Sequence, residues 1–528
     1  MDRAHILDRL SSAEETFDVL VIGGGATGLG AAVDAAARGH RTALIEQADF
    51  SKGTSSRSTK LIHGGVRYLR QGNLSLVLES LHERGLLAHN APHLVHNLAF
   101  VIPTYSWWEG PFYGVGMKVY DRLAGRLGLS PSHLLSREQT IALIPTVETA
   151  GLLGGVVYYD GQFDDSRLAV SLAQTADSLG AAVLNYCAAV GLIKEHGAVV
   201  GIQARDAETD AEFEIRARSV INATGIFVDA LRSMDDPAAE RLVAVSQGIH
   251  LVLPREFLPG NAAIMVPRTA DGRVLFAVPW HDRVVVGTTD TPRSVHELEP
   301  RALPAERNFV MEHARRYLAK SPRDQDVLSV FAGLRPLVLD SKAPNTAALS
   351  RDHLILVSSS GLITITGGKW TTYRKMAEDV IDHGEMVAGL ERRRSPTETL
   401  QIHGWTHAPI SEKNLQPYGA DAPRIADLFE SDPALAAPIH LRLPYQRGEV
   451  LWHARQEMAR TVEDVLARRT RALFIDAQAS IEAAPAVAQL LAGELGHDRA
   501  WCEAQVEAYR SLARGYIFTD PASTARST

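Results

Sequence analysis

Four cations lie close to glycine-rich turns in this chain: Arg67, Arg335, Arg351 and Lys369. Arginine matches phosphate oxygens through a two-pronged fork, and lysine acts as a point charge. Arg335 sits in Ala332-Gly333-Leu334-Arg335-Pro336-Leu337, between apolar and rigid neighbours, while Lys369 follows Gly367 and Gly368. A cation buried in such surroundings needs an anion beside it. Neither has an acid among its immediate sequence neighbours, so a bound anion is the expected partner; an acid brought near by folding is the other reading. A second stretch, Thr54-Ser55-Ser56-Arg57-Ser58-Thr59-Lys60-Leu61-Ile62-His63-Gly64-Gly65, offers hydroxyls, small side chains and backbone donors suited to a phosphate chain and a ring edge. Alone, such a tract reads as a solvated loop.

The segment just upstream changes that reading. Val19 to Ile22 is a short apolar run suited to a buried parallel strand. Gly23, Gly25 and Gly28 then fit G-x-G-x-x-G: the first permits a tight turn, the second lets a pyrophosphate approach the backbone, and the third lets helix and strand pack closely. The helix that follows would turn its free N–H groups and positive dipole end toward the anion. Arg41 to Ile45 reads as the second strand, with Glu46 at its end to accept hydrogen bonds from a ribose diol. The hydroxyl-rich tract therefore lies on the carboxyl side of a dinucleotide-binding sheet, where ligands bind.

Further pieces of the same kind recur. Arg218 to Asn222 runs into Ala223-Thr224-Gly225, Leu354 to Val357 runs into Ser358 to Gly361, and Gly367-Gly368-Lys369 leads into a helix from about Thr371 to Gly389. Between them, Ile249 to Leu253, Ala263 to Val266, Val274 to Val278 and Val284 to Gly287 read as an antiparallel sheet. Beyond about Arg394 prolines punctuate linkers, and helices are expected at Glu457 to Arg471 and at Ala486 to Leu495, with Pro485 opening the latter's first turn. Tyr113, Met117, Tyr120, Leu123 and Leu127 fall at helical spacing beside Lys118, Arg122 and Arg126, after Trp107-Trp108. Such a helix suits the interface of an anionic membrane or packs against its own domain; both readings stand.

With 528 residues the chain exceeds one core. A hydrophobic content of 45% and a charged content of 22% are ordinary for a globular protein, and a net charge of -8 argues against nucleic acid as the main ligand. Cys187 and Cys502 form no CxxC pair, which excludes a disulfide framework or thiolate zinc site and fits a reducing compartment. No metal site is expected. Met1 to Thr16 lacks an apolar core, so no signal peptide is expected, and no apolar run reaches the length of about 18 residues that a spanning helix needs.

On these motifs the chain resembles the FAD-dependent glycerol-3-phosphate dehydrogenases, within the wider D-amino-acid-oxidase-like flavoproteins. The resemblance is carried by VIGGGATGLG at Val21 to Gly30, SSRSTKLIHGGVRYL at Ser55 to Leu69, Phe163 to Leu168, Gly248-Ile249-His250, VPWHD at Val278 to Asp282 and GTTD at Gly287 to Asp290. AGLRPL at Ala332 to Leu337, SRDH at Ser350 to His353 and GGKWTTYR at Gly367 to Arg374 complete it. It implies a mixed α/β and α+β architecture: a Rossmann-like FAD-binding domain built from segments 1–90, 156–245 and 331–393, an antiparallel-sheet substrate (cap) domain from 91–155 and 246–330, and a helical C-terminal domain over 394–528.

The implied reaction is oxidation of sn-glycerol 3-phosphate at C2 to dihydroxyacetone phosphate, with FAD reduced and then reoxidised by a quinone. By motif match, Arg67, Tyr68, Arg335, Arg351 and Lys369 would bind substrate. Gly23, Gly25, Gly28 and Glu46 would hold the ADP half of FAD. Thr54, Ser55, Ser58, Thr59, Lys60, Leu61 and His63, with Asn222, Ala223, Gly225, Gly367, Gly368, Lys369 and Thr371, would approach the pyrophosphate and flavin. His63 and His250 are the candidate bases on motif position, since a histidine titrating near neutrality suits proton removal; a structural histidine is the alternative for each. The expected location is the cytoplasm, with peripheral contact at the inner face of the cell membrane, and a homodimer is compatible with the resemblance.

Three positions depart from the family pattern: Gln247 where a lysine is usual, Ile226-Phe227 where Pro-Trp is usual, and Arg57 where a smaller residue is common. The lost cation at Gln247 bears on substrate preference. Rival readings are a glycerol-3-phosphate oxidase that hands electrons to O2, an FAD-dependent amine or amino-acid oxidoreductase, which would need an apolar, carboxylate-reading site, and a non-catalytic FAD-binding or RNA-modification scaffold, which would want a basic surface.

Overall fold

Val19, Leu20 and Val21 are fully buried at the centre of a parallel sheet. The strand Thr16–Ile22 pairs in parallel with Glu212–Asn222 on one side and Thr42–Ile45 on the other, so its central part is covered on both faces and Val19 to Ile22 is uniformly apolar. Ala182–Leu184 and Ile363–Gly367 extend the parallel core at its two ends. The computed structural model describes residues 1–65, 74–266, 274–318, 320–339 and 352–518. Arg67, Tyr68 and Arg351 lie outside them.

Segments far apart in sequence thus build one nucleotide-type sheet. One reading needs correction: Leu354 to Val357 is not a strand leading into a ligand turn. It belongs to His353–Val357, which forms an antiparallel hairpin with Ile363–Gly367, and the parallel strand feeding Gly367-Gly368-Lys369 is Ile363–Gly367. Helix Tyr373–Ala388 follows and packs on helix Ala26–Ala37, where Gly30 admits the Tyr373 ring: a Cβ at Gly30 would lie 2.8 Å from it.

The second sheet, ten-stranded among the described residues, carries the expected runs as Val243–Pro254, Ala262–Val266, Leu275–Trp280 and Arg283–Gly287. Among the described residues its pairings are antiparallel except one, since Ala262–Val266 runs parallel to Val95–Thr104. The sequence boundaries at 155, 245 and 330 fall inside the continuous strands Gly154–Phe163, Val243–Pro254 and Ser329–Val338.

Helix Glu109–Ala124 lies over this sheet. The face singled out in the sequence turns inward: Met117 and Tyr120 are buried against Leu98, Phe100 and Tyr158, with Tyr113 and Leu123 packed beside them. A different apolar face stays exposed, formed by Trp107, Trp108, Phe112, Val115 and Val119, with Trp107 82% accessible.

The C-terminal region departs most from expectation. Glu457 to Arg471 is not one helix: helix Arg447–Gln456 stops before Glu457, Met458 adopts a left-handed φ of 53°, and Asp464–Arg469 forms a widened turn in which Thr470 N–H reaches back to Val465 O. Pro485 sits inside helix Ala477–Leu495 rather than at its start, because Asp476 already caps that helix through Ala479 N–H.

The irregular turn aims three nearly consecutive arginines inward. Asp49, fully buried, accepts from Arg468 Nε at 2.5 Å, Arg469 Nη1 at 2.6 Å and Asn185 Nδ2 at 2.9 Å. Asp165, also fully buried, accepts from Ser58 N–H at 3.0 Å, Ser58 Oγ at 2.7 Å, Lys60 Nζ at 2.6 Å and Arg471 Nη2 at 3.2 Å. The hydroxyl-rich loop is thereby fastened to the C-terminal helices. Burial alone would raise the Asp49 pKa, but Arg469 and Arg468 outweigh it and hold the carboxyl well below its ordinary range.

Removing one partner of a buried pair strands the other charge. Asp49→Asn is therefore expected to cost about 3–5 kcal/mol near neutral pH by chemical denaturation. The wild type keeps this contribution above the unfolded carboxyl's range and loses it as pH falls below about 4, so the gap between the two proteins should narrow in acid. A gap below about 1 kcal/mol at neutral pH would mean the network does not hold the loop.

Candidate functional site

The carboxyl ends of the parallel strands open on a cavity of about 470 Å³ that the second sheet closes from the other side. Gly23 and Gly25 form one wall. Gly23 has φ of 115°, and a Cβ there would lie 2.6 Å from Ala223 O, so strand-to-strand contact at this turn requires glycine. Gly25 caps helix Ala26–Ala37 without a side-chain hydrogen bond, which leaves its first turn facing the cavity. Gly28 does not line the cavity; a Cβ there would fall 1.9 Å from Gly23 O, so it serves the close packing read from the fingerprint.

Glu46 lines the far end of this wall. Its Oε2 accepts from Gly24 N–H at 2.7 Å and its Oε1 from Ala48 N–H at 2.9 Å, which fixes the carboxylate toward the cavity. Burial pushes its pKa upward, against those two donors. Gly24 is part of this arrangement, since a Cβ would sit 2.8 Å from Glu46 Cβ; the fingerprint leaves that position open.

Thr54, Ser55, Ser58, Thr59, Leu61 and His63 line the floor. Ser55 Oγ accepts from Ala26 N–H at 2.9 Å, and Trp370 Nε1 donates to Ser55 O at 2.8 Å, tying the loop to both glycine turns. Lys60 is a correction: its side chain turns away from the cavity into a fully buried pocket, where Nζ donates to Asp165 and Ser56 O and lies 5.2–5.3 Å from the Trp280, Phe331 and Phe474 rings. Asn222 also lies behind the wall, donating to Val228 O at 2.9 Å and accepting from Thr224 Oγ1 at 2.7 Å, so it shapes the turn that brings Ala223 and Gly225 to the cavity. Gly367, Gly368, Lys369 and Thr371 complete the described wall. A chain of backbone donors, a helix N-terminus and a terminal acid suit FAD; Gly23, Gly25 and Glu46 would hold its ADP half.

Arg335 and His250 enter from the second sheet. Strand pairing sets Ser246, Gly248 and His250 opposite Arg335, Gly333 and Phe331, and residues opposite each other share a face. The Arg335 guanidinium lies over Gly248, where a Cβ would be 2.2 Å from Nη2, and donates to Thr289 O and Thr288 Oγ1 at 3.1 Å. An acid is brought near by folding, Asp290 at 3.8 Å, beyond hydrogen-bond reach. Lys369 Nζ approaches Ser80 Oγ at 3.4 Å. His250 is 2% exposed, and burial with Arg335 and Lys60 nearby holds its pKa well below the histidine range. Burial and the two cations both disfavour the charged imidazolium at His250.

Gln247 points to the reverse face, donating to Glu306 Oε2 at 2.7 Å and Arg301 O at 2.9 Å. The missing family cation therefore subtracts no charge from the cavity. Ile226 and Phe227 do line it, as do Cys187 and Met234, which no motif marked. Arg57 lines it too, but its guanidinium donates to Ala332 O at 3.1 Å and pairs with Glu299, so it braces the loop.

Residues 18–374 match the family described as FAD dependent oxidoreductase, and residues 361–502 match the C-terminal domain of alpha-glycerophosphate oxidase. A mitochondrial glycerol-3-phosphate dehydrogenase of Homo sapiens is 40% identical over 548 residues, covering 97% of this chain and 74% of that protein. Its counterpart in Arabidopsis thaliana is 40% identical, covering 93% and 84%. The crystal structure of glycerol-3-phosphate dehydrogenase from Bacillus halodurans complexed with FAD superimposes with a TM-score of 0.80 at 28% identity, covering 98% of each chain.

Gly23→Ala is expected to abolish stoichiometric FAD binding, because its Cβ meets Ala223 O and its φ is unfavourable for alanine. The visible spectrum of the purified variant measures this directly, and a full flavin complement would show that the turn tolerates a side chain.

Proposed function

The chain belongs to the FAD-dependent glycerol-3-phosphate dehydrogenases, and from that premise we propose that it oxidises sn-glycerol 3-phosphate at C2 to dihydroxyacetone phosphate, with a quinone as final electron acceptor. One observation carries this reading: Arg335 and Lys369 line the same cavity as the glycine turn, Glu46 and His63. FAD held by Gly23, Gly25 and Glu46 would supply the acceptor for the C2 hydride. Arg335 binds the phosphate, joined by Lys369 and, on motif position, by Arg67, Tyr68 and Arg351. His63, half-buried on the cavity wall and tied to Thr371 through its backbone N–H, takes the hydroxyl proton.

Adding glycerol 3-phosphate anaerobically should bleach the visible flavin absorption. Arg335→Ala should weaken substrate binding by about 1.5–3 kcal/mol, the worth of a charge-assisted hydrogen bond, or roughly 10- to 150-fold in Kd. Unchanged affinity would misplace the phosphate. The oxidase reading draws on the match of residues 361–502 to an alpha-glycerophosphate oxidase domain; stoichiometric peroxide in place of quinone reduction would favour it.

Quinone reduction requires approach to a membrane, and peripheral attachment at the inner face of the cell membrane is part of this proposal. Its support is an exposed row, with Trp107 and Trp108 just before helix Glu109–Ala124 and Phe112, Val115 and Val119 on it, bordered by the exposed Lys118 and Arg122. Among the described residues no helix is long and apolar enough to cross a membrane. Combining Trp107→Ala with Phe112→Asp should reduce co-sedimentation with anionic vesicles at least about tenfold, since each aromatic contributes on the order of 1.5–3 kcal/mol of burial. Undiminished binding would rule out this surface.

A further inference from the structure

His250 is held in place from several sides. Its ring stacks on Phe331, with centroids 4.8 Å apart and planes at 17°. On the other neighbouring strand, Gly287 leaves it room, since a Cβ there would lie 2.4 Å from ring Cδ2. Nε2 is 3.0 Å from Thr59 Oγ1. Nδ1 is buried and has no hydrogen-bond partner among the described residues.

These contacts restrict what the ring can do. An imidazolium donates from both nitrogens. Protonating His250 would bury an N–H with no acceptor, beside Arg335 and Lys60, the charged groups that act on it among the described residues. That costs the full desolvation of an unmatched donor in addition to like-charge repulsion. The ring therefore stays neutral, with one proton to place. On Nδ1 that proton would be an orphan donor. On Nε2 it is donated to Thr59 Oγ1, and only a lone pair is left unmatched, the better tolerated of the two defects. Thr59 Oγ1 then accepts from His250, so its own O–H must donate elsewhere, and Thr59 lines the cavity.

We infer that His250 is a positioning residue rather than the proton acceptor, and that it sets the Thr59 hydroxyl as a hydrogen-bond donor to the oxygen on the reacting carbon of the substrate. The donor stabilises the negative charge that grows on that oxygen as its proton leaves to a separate base. No proton passes through Thr59 or His250. The assignment rests on the reaction proposed above and supplies a specific contact for it.

Two kinds of measurement test it. In holoenzyme labelled with ¹⁵N-histidine, the signal lost in His250→Gln should report a neutral ring protonated on Nε2, without titrating between about pH 5.5 and 8.5, where an ordinary histidine would. In stopped flow, Thr59→Val should slow flavin reduction by glycerol 3-phosphate about 100-fold, the cost of one lost oxyanion-type donor, while FAD content and the resting flavin spectrum stay as in wild type. Thr59→Ser should restore most of the rate. His250→Gln keeps an N–H donor where Nε2 stood, so its rate should stay within about tenfold of wild type, with the same pH profile.

Titration of His250 in that range, or loss of the pH-dependent limb in His250→Gln, would make it the base and overturn the inference. A change in FAD affinity or resting spectrum in Thr59→Val would show that the hydroxyl serves the cofactor, which also overturns it. Failure of the parent reading looks different: wild type itself would not be reduced by glycerol 3-phosphate.

Discussion

The cavity floor depends on two buried carboxylates. Asp49 precedes the hydroxyl-rich loop and Asp165 binds its Ser58 and Lys60, and the two draw Arg468, Arg469 and Arg471 from the C-terminal region, more than 300 residues further along the chain. Buried ion pairs are poor sources of net stability, because desolvating both partners offsets much of their attraction. Their value here is geometric. A loop of serines, threonines and glycine has little apolar surface to bury and many backbone alternatives. Charged partners with fixed directions remove that freedom, as Asp165 does by accepting from both the N–H and the hydroxyl of Ser58.

Seen this way, the C-terminal region is not an appendage. Its core runs without a break into the second sheet, with Val252, Trp280, Val285 and Phe331 packed among Phe474, Ile475 and Val487. Phe331 contacts both sides of the arrangement: it stacks on His250 toward the cavity and meets Phe474 at 4.9 Å. Packing in the C-terminal helices is thus felt at the wall of the site, because close-packed interiors transmit displacement.

Much of this was legible in the sequence. The glycine turn, Glu46 and the hydroxyl tract announce themselves because each needs particular residue types at fixed spacing. Lys60 departs from its motif because sequence proximity to a ligand loop says nothing about direction, and its partner Asp165 is supplied by a distant segment. The stretch Glu457 to Arg471 has helical composition, yet three inward arginines within four positions cannot share one α-helical face. Tertiary ion pairs overrode local propensity there. Helix Glu109–Ala124 carries apolar residues on two faces, so periodicity alone could not tell the packed side from the exposed one.

Gln247 shows how one residue of register decides a chemical question. Along Val243–Pro254 side chains alternate between faces. Gly248 and His250 look into the cavity, and Gln247 looks back toward helix Pro304–Tyr317, where Glu306 receives it. Glu306 also accepts from Thr289 Oγ1 and from Leu303 N–H at its own helix start. Thr289, in turn, offers its carbonyl to Arg335. A neutral amide at this position therefore acts through the anchoring of Thr289, which helps aim Arg335, and not through the charge that a ligand meets. The influence of position 247 on the substrate is one of orientation, passed along three hydrogen-bonded side chains.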